Sequence, residues 1–334
     1  MRNKLYPGAA IGLDVGTNRI VVASRPGEDL AFRSQLNAFV TVPFSRMTER
    51  TLKKEGVLHL VQDSQILIYG NESERFADLF HLEPRHPMSG GILNPGEPDG
   101  LPLIRRIVQA LGDAGEGEGR RVCFSIPAPP LGCESTITYH EAAMRELLTE
   151  MGHEARSLNE GLAVIYSELE ESNYTGIGIS CGGGLCNVCL AYLSAPLFSF
   201  SISKAGDFID ASVAAVTNEL ANRVRIVKET SFRFNGHFAD KVQQALGIYY
   251  QDMIQAVVAS LQTAFSNALN VPKLGRPIPI VLSGGSVLVE GFRERFAKML
   301  RENPLPVQVS DVVVAADPLN ATAKGALIAA LAEM

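Results

Sequence analysis

The chain has 334 residues, 46% hydrophobic and 20% charged, a composition typical of a globular protein long enough for two lobes rather than of a disordered one. A formal net charge of −6 without a basic cluster argues against a nucleic-acid partner, and no apolar run reaches the length of a membrane span. The start, Met1 to Gly8, is too short and polar for a signal peptide, and five cysteines without an export signal indicate reduced thiols, so we expect a cytoplasmic protein.

Apolar runs that alternate with turn residues predict short strands and helices throughout the first half of the chain. In chain order these are a hairpin over 9–30, strands at 57–61 and 66–69, a loop at 94–100, a helix at 101–111, a glycine-rich connection at 112–119, a strand at 122–126 and a helix at 134–151.

The same kind of pattern restarts near residue 177. Its predicted elements are a strand at 176–180, a glycine turn at 182–184, hairpin strands at 185–193 and 197–202, a helix from about 207, a helix with an apolar stripe at 250–269, a strand at 278–282 and a closing helix near 321–331. Each half thus contains a strand, a glycine turn, a hairpin and helices. This repetition predicts an α/β fold of two duplicated lobes with a cleft between them.

Residues 11–17 are typical of a buried strand that delivers a carboxylate, Asp14, and a glycine turn to an anion. Glycine lets the backbone bend close to a ligand, and successive amides in such a turn can donate to phosphate oxygens. Two such turns, one from each half, would clamp a polyphosphate, and Asp14 could hold magnesium through water. The residues predicted to bind phosphate are Gly16, Thr17, Asn18, Gly182, Gly183 and Gly184.

Two further glycine segments suit a nucleoside. One follows the predicted strand at 278–282 and would let a flat base and ribose lie against the backbone. The other begins a predicted helix, where amides and carboxylates could meet ribose hydroxyls. The nucleoside contacts predicted from these segments are Gly206, Asp207, Asp210, Gly284, Gly285 and Ser286.

In order and spacing, these motifs resemble the actin, sugar-kinase and heat-shock chaperone ATPase superfamily, most of all its bacterial actin branch, MreB. Beyond the two phosphate motifs, the resemblance is carried by residues 85–92, 125–127, 158–163, 205–210, 282–286 with Gly291, and 317–326.

The resemblance implies duplicated actin-like (ribonuclease H-like) lobes with a nucleotide cleft between them. The implied division is lobe I over 8–155, with its core at 8–30 and 101–155 and a small subdomain inserted at 31–100, and lobe II over 156–334, with its core at 156–224 and 250–334 and a truncated small subdomain at 225–249.

The resemblance also implies a function: ATP or ADP bound with magnesium between the lobes, and head-to-tail assembly into cytoskeletal protofilaments that serve cell shape. Peripheral membrane or morphogenetic proteins are candidate partners at the inner face of the membrane. By the same resemblance, Glu160 positions the attacking water and Asp14 is the second catalytic carboxylate, on the magnesium side. Asn222 and Arg225 stand where the family has an adenosine-contacting glutamate and lysine.

Departures from the superfamily pattern bear on turnover. The second phosphate motif normally begins with aspartate and ends in threonine, and here Ser180 and Leu185 occupy those places. The lost carboxylate would help to bind magnesium and order the attacking water, so we expect weak or absent ATP hydrolysis. Glu160 is followed by Gly161 where the family has proline, which keeps the carboxylate but loosens its turn.

Other functions stay open. A nucleotide-binding regulator or scaffold that does not polymerise is the main alternative, because the shortened subdomain at 225–249 is where the family contributes subunit contacts. A sugar kinase or a cluster-carrying dehydratase activator is a third. The spacing of Cys181, Cys186 and Cys189 matches a two-iron ferredoxin motif, but alternation over 185–193 predicts a strand with small buried thiols instead.

Overall fold

The computed structural model describes residues 10–112, 119–131, 137–234, 236–268, 272 and 275–332. Residues 113–118 of the predicted connection and 134–136 of the predicted helix lie outside this range. The strands are β1 Ala10–Val15, β2 Arg19–Ser24, β3 Ala31–Leu36, β4 Phe39–Pro43, β5 His59–Gln62, β6 Gln65–Tyr69, β7 Met88–Ser89, β8 Ile92–Leu93, β9 Arg121–Ile126, β10 Glu154–Asn159, β11 Gly176–Cys181, β12 Cys186–Tyr192, β13 Ala195–Ile202, β14 Ile278–Ser283 and β15 Val309–Val314. The helices are α1 Arg46–Glu55, α2 Glu72–Phe80, α3 Gly100–Ala110, α4 Ile137–Glu150, α5 Glu160–Glu168, α6 Gly206–Thr217, α7 Ala221–Thr230, α8 Lys241–Asn267, α9 Phe292–Glu302 and α10 Ala321–Ala332.

Two five-stranded sheets of identical topology form the two lobes. The strand order is β10-β9-β1-β2-β3 in the first sheet and β15-β14-β11-β12-β13 in the second. In each, an antiparallel three-stranded meander is extended by two parallel strands that return through helices. The predicted duplication of an α/β unit is therefore present in the fold.

The two central strands repeat one short sequence pattern. Residues 11–16 read Ile-Gly-Leu-Asp-Val-Gly, and residues 177–182 read Ile-Gly-Ile-Ser-Cys-Gly. Both strands are covered on their two faces, which explains their nearly continuous apolar sequence. The repeat makes Asp14 and Ser180 equivalent residues at the ends of equivalent strands.

Helices α5 and α10 each follow one sheet and pack on the other. Helix α5 follows β10 but packs on β11 and β12, whereas α10 follows β15 but packs on β1 and β9. Glycines permit this close approach, because a Cβ on Gly12 would overlap the backbone of α10 and one on Gly178 the backbone of α5. Where the two helices cross, Gly325 lies against the backbone of Ala163. The crossing joins the lobes at the base of the cleft.

A small antiparallel sheet of order β4-β6-β5 forms the insert that follows the first meander. Helix α2 packs on β4 and β6. Two strands depart from the predicted division. Strand β3 lies within the predicted insert but pairs with β2 in the first large sheet, and β10 extends past the predicted lobe boundary at residue 155, pairing with β9 as far as Asn159. The exact division into lobes and subdomains stays a prediction.

Three cysteines of the second lobe are fully buried. Cys181 and Cys186 pack in the larger apolar cluster of the second sheet, and Cys189 packs in the cluster formed with α5. Residues three apart on one strand point to opposite faces, so the three thiols do not converge. The prediction that they act as small buried hydrophobes is confirmed.

The long helix α8 carries the predicted apolar stripe. Ile254, Val257, Val258, Leu261 and Phe265 are buried in the core of the second lobe. No helix in the described part of the chain is both long and apolar enough to cross a membrane.

Candidate functional site

A cavity of about 760 Å³ lies between the two lobes. Its walls come from both meanders, from the first turn of α5 and from α7, α8 and the segment after β14. Residues that line it include Asp14, Gly16, Thr17, Asn18, Arg19, Glu74, Gly91, Glu160, Ser180, Gly182, Gly183, Gly184, Leu185, Asn187, Gly206, Arg225, Lys228, Tyr250, Gly284, Gly285, Ser286 and Leu288. The structure thus brings most of the predicted site residues to one cavity.

The two glycine turns have the same backbone geometry. The N–H of Gly16 donates to the carbonyl of Arg19 at 2.9 Å, and the N–H of Gly182 donates to the carbonyl of Leu185 at 3.0 Å. Each hydrogen bond closes a tight hairpin turn, between β1 and β2 in one lobe and between β11 and β12 in the other. The central amides of the two turns, from residues 17, 18, 183 and 184, make no hydrogen bond to another described residue. Four donors from two turns are therefore available to an anion.

Side chains of the first turn reach the second lobe. The side-chain amide nitrogen of Asn18, Nδ2, donates to a carboxylate oxygen of Asp207 at 3.0 Å. A Cβ on Gly184 would overlap the hydroxyl of Thr17, which itself accepts a hydrogen bond from Gly91 at 3.0 Å. The turns are thus in direct contact, and glycine at position 184 is required for that approach.

Two carboxylates from different elements face the cavity near the turns. Asp14 accepts a hydrogen bond from the hydroxyl of Ser125 at 2.6 Å, and Glu160 accepts one from the hydroxyl of Ser180 at 3.1 Å. Burial raises the pKa of Asp14 to about 6, against the lowering effect of Ser125. Burial and then the negative charge of Asp14 raise the pKa of Glu160 to about 8.

This pair of acids fits a divalent cation. Among the described residues, no lysine or arginine forms an ion pair with Asp14 or Glu160, and their own charges repel each other. Magnesium takes few protein ligands, prefers carboxylate oxygen and keeps several waters, so these acids together with phosphate oxygens suit it. The donor set is accordingly compatible with the predicted magnesium ion.

The side-chain amide of Asn187 is buried next to Glu160. The side-chain oxygen of Asn187 accepts the N–H of Ala128 at 2.8 Å, which fixes the orientation of the amide. Its nitrogen is buried, has no hydrogen-bond partner within the described chain and belongs to a residue that lines the cavity. It nevertheless lies close enough to the Glu160 carboxyl to lower the pKa of that group, so Glu160 as well as a ligand or water in the cavity is an acceptor within its reach.

The predicted nucleoside end is built from three elements of the second lobe. Gly284 adopts a φ of 93°, and its N–H donates to the carbonyl of Pro318 at 2.9 Å. The N–H of Gly206 and the hydroxyl of Ser286 both donate to the carbonyl of Gly182, at 3.1 Å and 3.3 Å. The segment after β14 and the start of α6 are thereby tied to the second phosphate turn.

Three predicted residues lie outside the cavity wall, each one hydrogen bond from a residue that lines it. Asp207 accepts from Asn18, as described above. Asp210 accepts from Lys228 at 2.7 Å, and Asn222 accepts from Arg225 at 3.2 Å. The pKa of Asp210 is raised to about 6 by burial, although Lys228 opposes the rise.

Several residues of the site escaped the sequence analysis. Lys228 lines the cavity and lies one helical turn after Arg225, so helical spacing on α7 was the available signal. Ser125 lay within a recognised motif, but nothing in its sequence context linked it to Asp14. No sequence signal distinguished Asn187 from its neighbours in a predicted strand, or Tyr250 from its neighbours in a predicted apolar helix.

Two lobes of one topology, crossed helices at their base and paired glycine turns on a common cavity define an actin-like protein. A family model described as Volactin, an actin-like family, matches residues 9–330. The chain therefore belongs to the Volactin family. The prediction of the actin superfamily is confirmed. No curated protein matches this chain.

Solved structures of actin-like proteins share the fold at low sequence identity. MamK in a double helical filament is 20% identical, with 97% of this chain and 98% of that chain covered and a TM-score of 0.73. MreB 5 of Spiroplasma citri bound to AMPPNP is 14% identical and has a TM-score of 0.66, with 94% of this chain and 93% of that chain covered. The ethanolamine utilization protein EutJ from Carboxydothermus hydrogenoformans is 15% identical and has a TM-score of 0.57, with 98% of this chain and 92% of that chain covered. These likenesses establish the two-lobed actin-like fold.

Proposed function

We propose that this Volactin-family protein binds ATP or ADP with magnesium in the cleft and that the nucleotide-bound protein assembles head to tail into protofilaments. The observation that carries the proposal is the set of four unpaired amides, two from each of two equivalent turns, on a single cavity. Such opposed amides match a chain of phosphates, and a ligand bound by both lobes favours their closed arrangement.

Each site residue has a role in this proposal. The turns that contain Gly16 and Gly183 cradle the phosphates, Asp14 is the magnesium-side carboxylate and Glu160 orients the attacking water. Gly284 and Gly206 offer backbone to the base and ribose. The remaining phosphate and nucleoside residues of the proposal are Thr17, Asn18, Gly182, Gly184, Asp207, Asp210, Asn222, Arg225, Gly285 and Ser286.

Magnesium would neutralise phosphate charge and orient the phosphates when bound beside Asp14. The rest of the hydrolytic machinery is incomplete, because the residue equivalent to Asp14 in the second lobe is Ser180. Its hydroxyl donates to Glu160 and adds no charge. We therefore expect binding with weak or absent hydrolysis.

Relatives of the same fold give the proposal its context. A non-polymerising MamK mutant and MreB 5 of Spiroplasma citri were each solved with AMPPNP, and another MamK structure is a double helical filament. Copies that associate through two different surfaces form filaments when the rotation does not close into a ring.

The test combines a fluorescent ATP analogue with sedimentation. We expect the analogue to bind in the presence of magnesium, and ATP to move the wild-type protein into the pellet as filaments visible by electron microscopy. Gly184→Ala should weaken binding at least about tenfold, because its Cβ overlaps Thr17 and separates the turns. Gly275→Ala is the matched control, since no atom lies within 4 Å of its Cβ.

The outcome also separates the alternative function, a nucleotide-binding regulator or scaffold. That alternative is favoured by residues 225–249, which contain only the end of α7, a connection and the start of α8. Nucleotide binding with a fixed small oligomer under all conditions would support the regulator. Absence of binding by the wild-type protein would contradict both functions.

A further inference from the structure

A single ion pair joins the small insert of the first lobe to α7 of the second lobe. The guanidinium of Arg225 donates to the carboxylate of Glu74, 151 residues away in the sequence. A second hydrogen bond at 3.2 Å, from the same guanidinium to Asn222, fixes the arginine on its own helix. Among the described residues, no backbone hydrogen bond joins the two elements that this pair connects.

The pair lies at the rim of the cavity. Both residues line it, yet their side chains keep part of their surface in solvent, 17% for Arg225 and 35% for Glu74. Glu74 is carried by α2, which is held to the insert by the buried side chains Phe76 and Ala77. Arg225 is carried by α7, whose Val224 is buried in the core of the second lobe. Separation of the lobes must therefore break the pair.

We propose that Glu74 and Arg225 form an electrostatic latch across the cleft, which slows nucleotide exchange by holding the insert against α7. The regulatory part of this inference rests on the proposed nucleotide-binding function. A charged pair that is partly shielded from water contributes more than an exposed pair, and loss of one partner acts mainly on dissociation. The latch also makes exchange sensitive to ionic strength, because salt screens partly exposed charges.

The latch is distinct from the side-chain hydrogen bond that joins the lobes at the phosphate turns. The Asn18–Asp207 hydrogen bond lies next to the phosphate turns and involves residues proposed to bind the ligand. Glu74 is absent from that set. Its partner Arg225 does belong to that set, so closure of the cleft is tested in the nucleotide-free protein as well as by nucleotide dissociation.

The decisive variant is Glu74→Gln, which keeps the shape of the side chain and removes its charge. We expect the dissociation rate of a fluorescent ATP analogue to rise about threefold to tenfold at low salt, and this increase to shrink at high salt. Glu72→Gln is the matched control, because Glu72 is on the same helix and pairs locally with Arg75. Equal dissociation rates for Glu74→Gln and Glu72→Gln would overturn the latch.

A second readout needs no nucleotide. In the nucleotide-free protein, Glu74→Gln should accelerate hydrogen–deuterium exchange in the turns at 16–19 and 182–185, and Glu72→Gln should not. The double variant Glu74→Arg with Arg225→Glu reverses both charges and keeps the pair, so it should restore slow hydrogen–deuterium exchange in these turns. If hydrogen–deuterium exchange in these turns is unchanged in Glu74→Gln, the latch is rejected even if ATP binds. If hydrogen–deuterium exchange is accelerated but the protein binds no ATP, the latch is supported and the nucleotide function is rejected.

Discussion

At the scale of single residues, two buried acids dominate the site, and no lysine or arginine of the described residues forms an ion pair with either of them. Asp14 and Glu160 keep their positions through the hydroxyls of Ser125 and Ser180. Each raised pKa means that the folded protein holds a proton that the unfolded chain would release at the same pH. The arrangement costs stability in the empty protein and favours a cation-bearing ligand.

The pH dependence of stability follows from the pKa of Glu160, which rises from 4.5 in a free carboxyl to about 8. The empty wild-type protein should lose stability as pH increases from 4.5 towards 8, because folding then opposes ionisation of this group. Glu160→Gln removes the penalty. We expect its melting temperature to exceed that of wild type by about 2–4 °C at pH 8, with the difference vanishing near pH 4.5.

Glu168→Gln is the control with the opposite sign. Burial would raise the pKa of Glu168, but the N–H of Ala316, the hydroxyl of Ser167 and the ammonium of Lys324 lower it overall. This substitution should therefore decrease the melting temperature above pH 4.5, and the loss should fade at lower pH. If Glu160→Gln melts at a lower temperature than wild type at pH 8, ionised Glu160 does not destabilise the folded protein, and the prediction is wrong.

Ser180→Asp tests the account of weak turnover. The added carboxylate is the counterpart of Asp14 in the second lobe and supplies the charge that helps to bind magnesium and order water. We expect phosphate release with magnesium and ATP to increase about tenfold. The control, Ser180→Asn, has similar volume without charge and should not increase release. Unchanged release by Ser180→Asp with intact ATP binding would mean that another feature limits turnover.

At the scale of elements, α5 and α10 each follow one sheet and pack on the other, and this crossed packing determines how the lobes meet. Each helix begins close to the end of a parallel strand, and α5 places Glu160 in its first turn beside the cavity. Glu168 of α5 also binds Lys324 of α10 at 3.1 Å. The position of Glu160 is therefore linked to the packing of two helices that lie on different sheets.

Gly325→Ala tests that packing. The new methyl group would overlap the backbone of Ala163 at the crossing, and backbone cannot move aside as a flexible side chain can. We expect a loss of about 3 kcal/mol in the free energy of unfolding, measured by denaturant titration. Gly275→Ala, in open space on the surface, should change it by less than about 0.5 kcal/mol. A loss of similar size in both variants would show that the crossing is not tightly packed.

At the scale of the whole molecule, the cavity is bounded by two lobes that meet at its base and at its rim. The α5–α10 crossing closes the base, and the Glu74–Arg225 ion pair closes the rim. A nucleotide that contacts both lobes adds its binding free energy to the closed state alone. Because assembly through head-to-tail surfaces requires one fixed shape of the subunit, we infer that closure and assembly are linked.

Local sequence was sufficient to predict the two glycine turns and the strands beside them, but not helices such as α1, α2 and α9 or strands such as β10 and β15. Periodicity and glycine spacing depend on near neighbours, so the duplicated strand–turn–hairpin unit could be read directly from residues 11–23 and 177–193. The motif at residues 11–17 pointed to Asp14 directly, whereas Glu160 and the departure at Ser180 were recognised only through the resemblance to the actin superfamily.

Only the tertiary structure decided which distant groups meet. Ser125 reaches Asp14 across 111 residues, and Arg225, expected to contact the nucleoside, pairs with Glu74 in the other lobe. Lys228 enters the cavity wall because α7 turns that face inward against α6 and α8. Such partners depend on how separate parts of the chain cross in space, and no local pattern encodes that crossing.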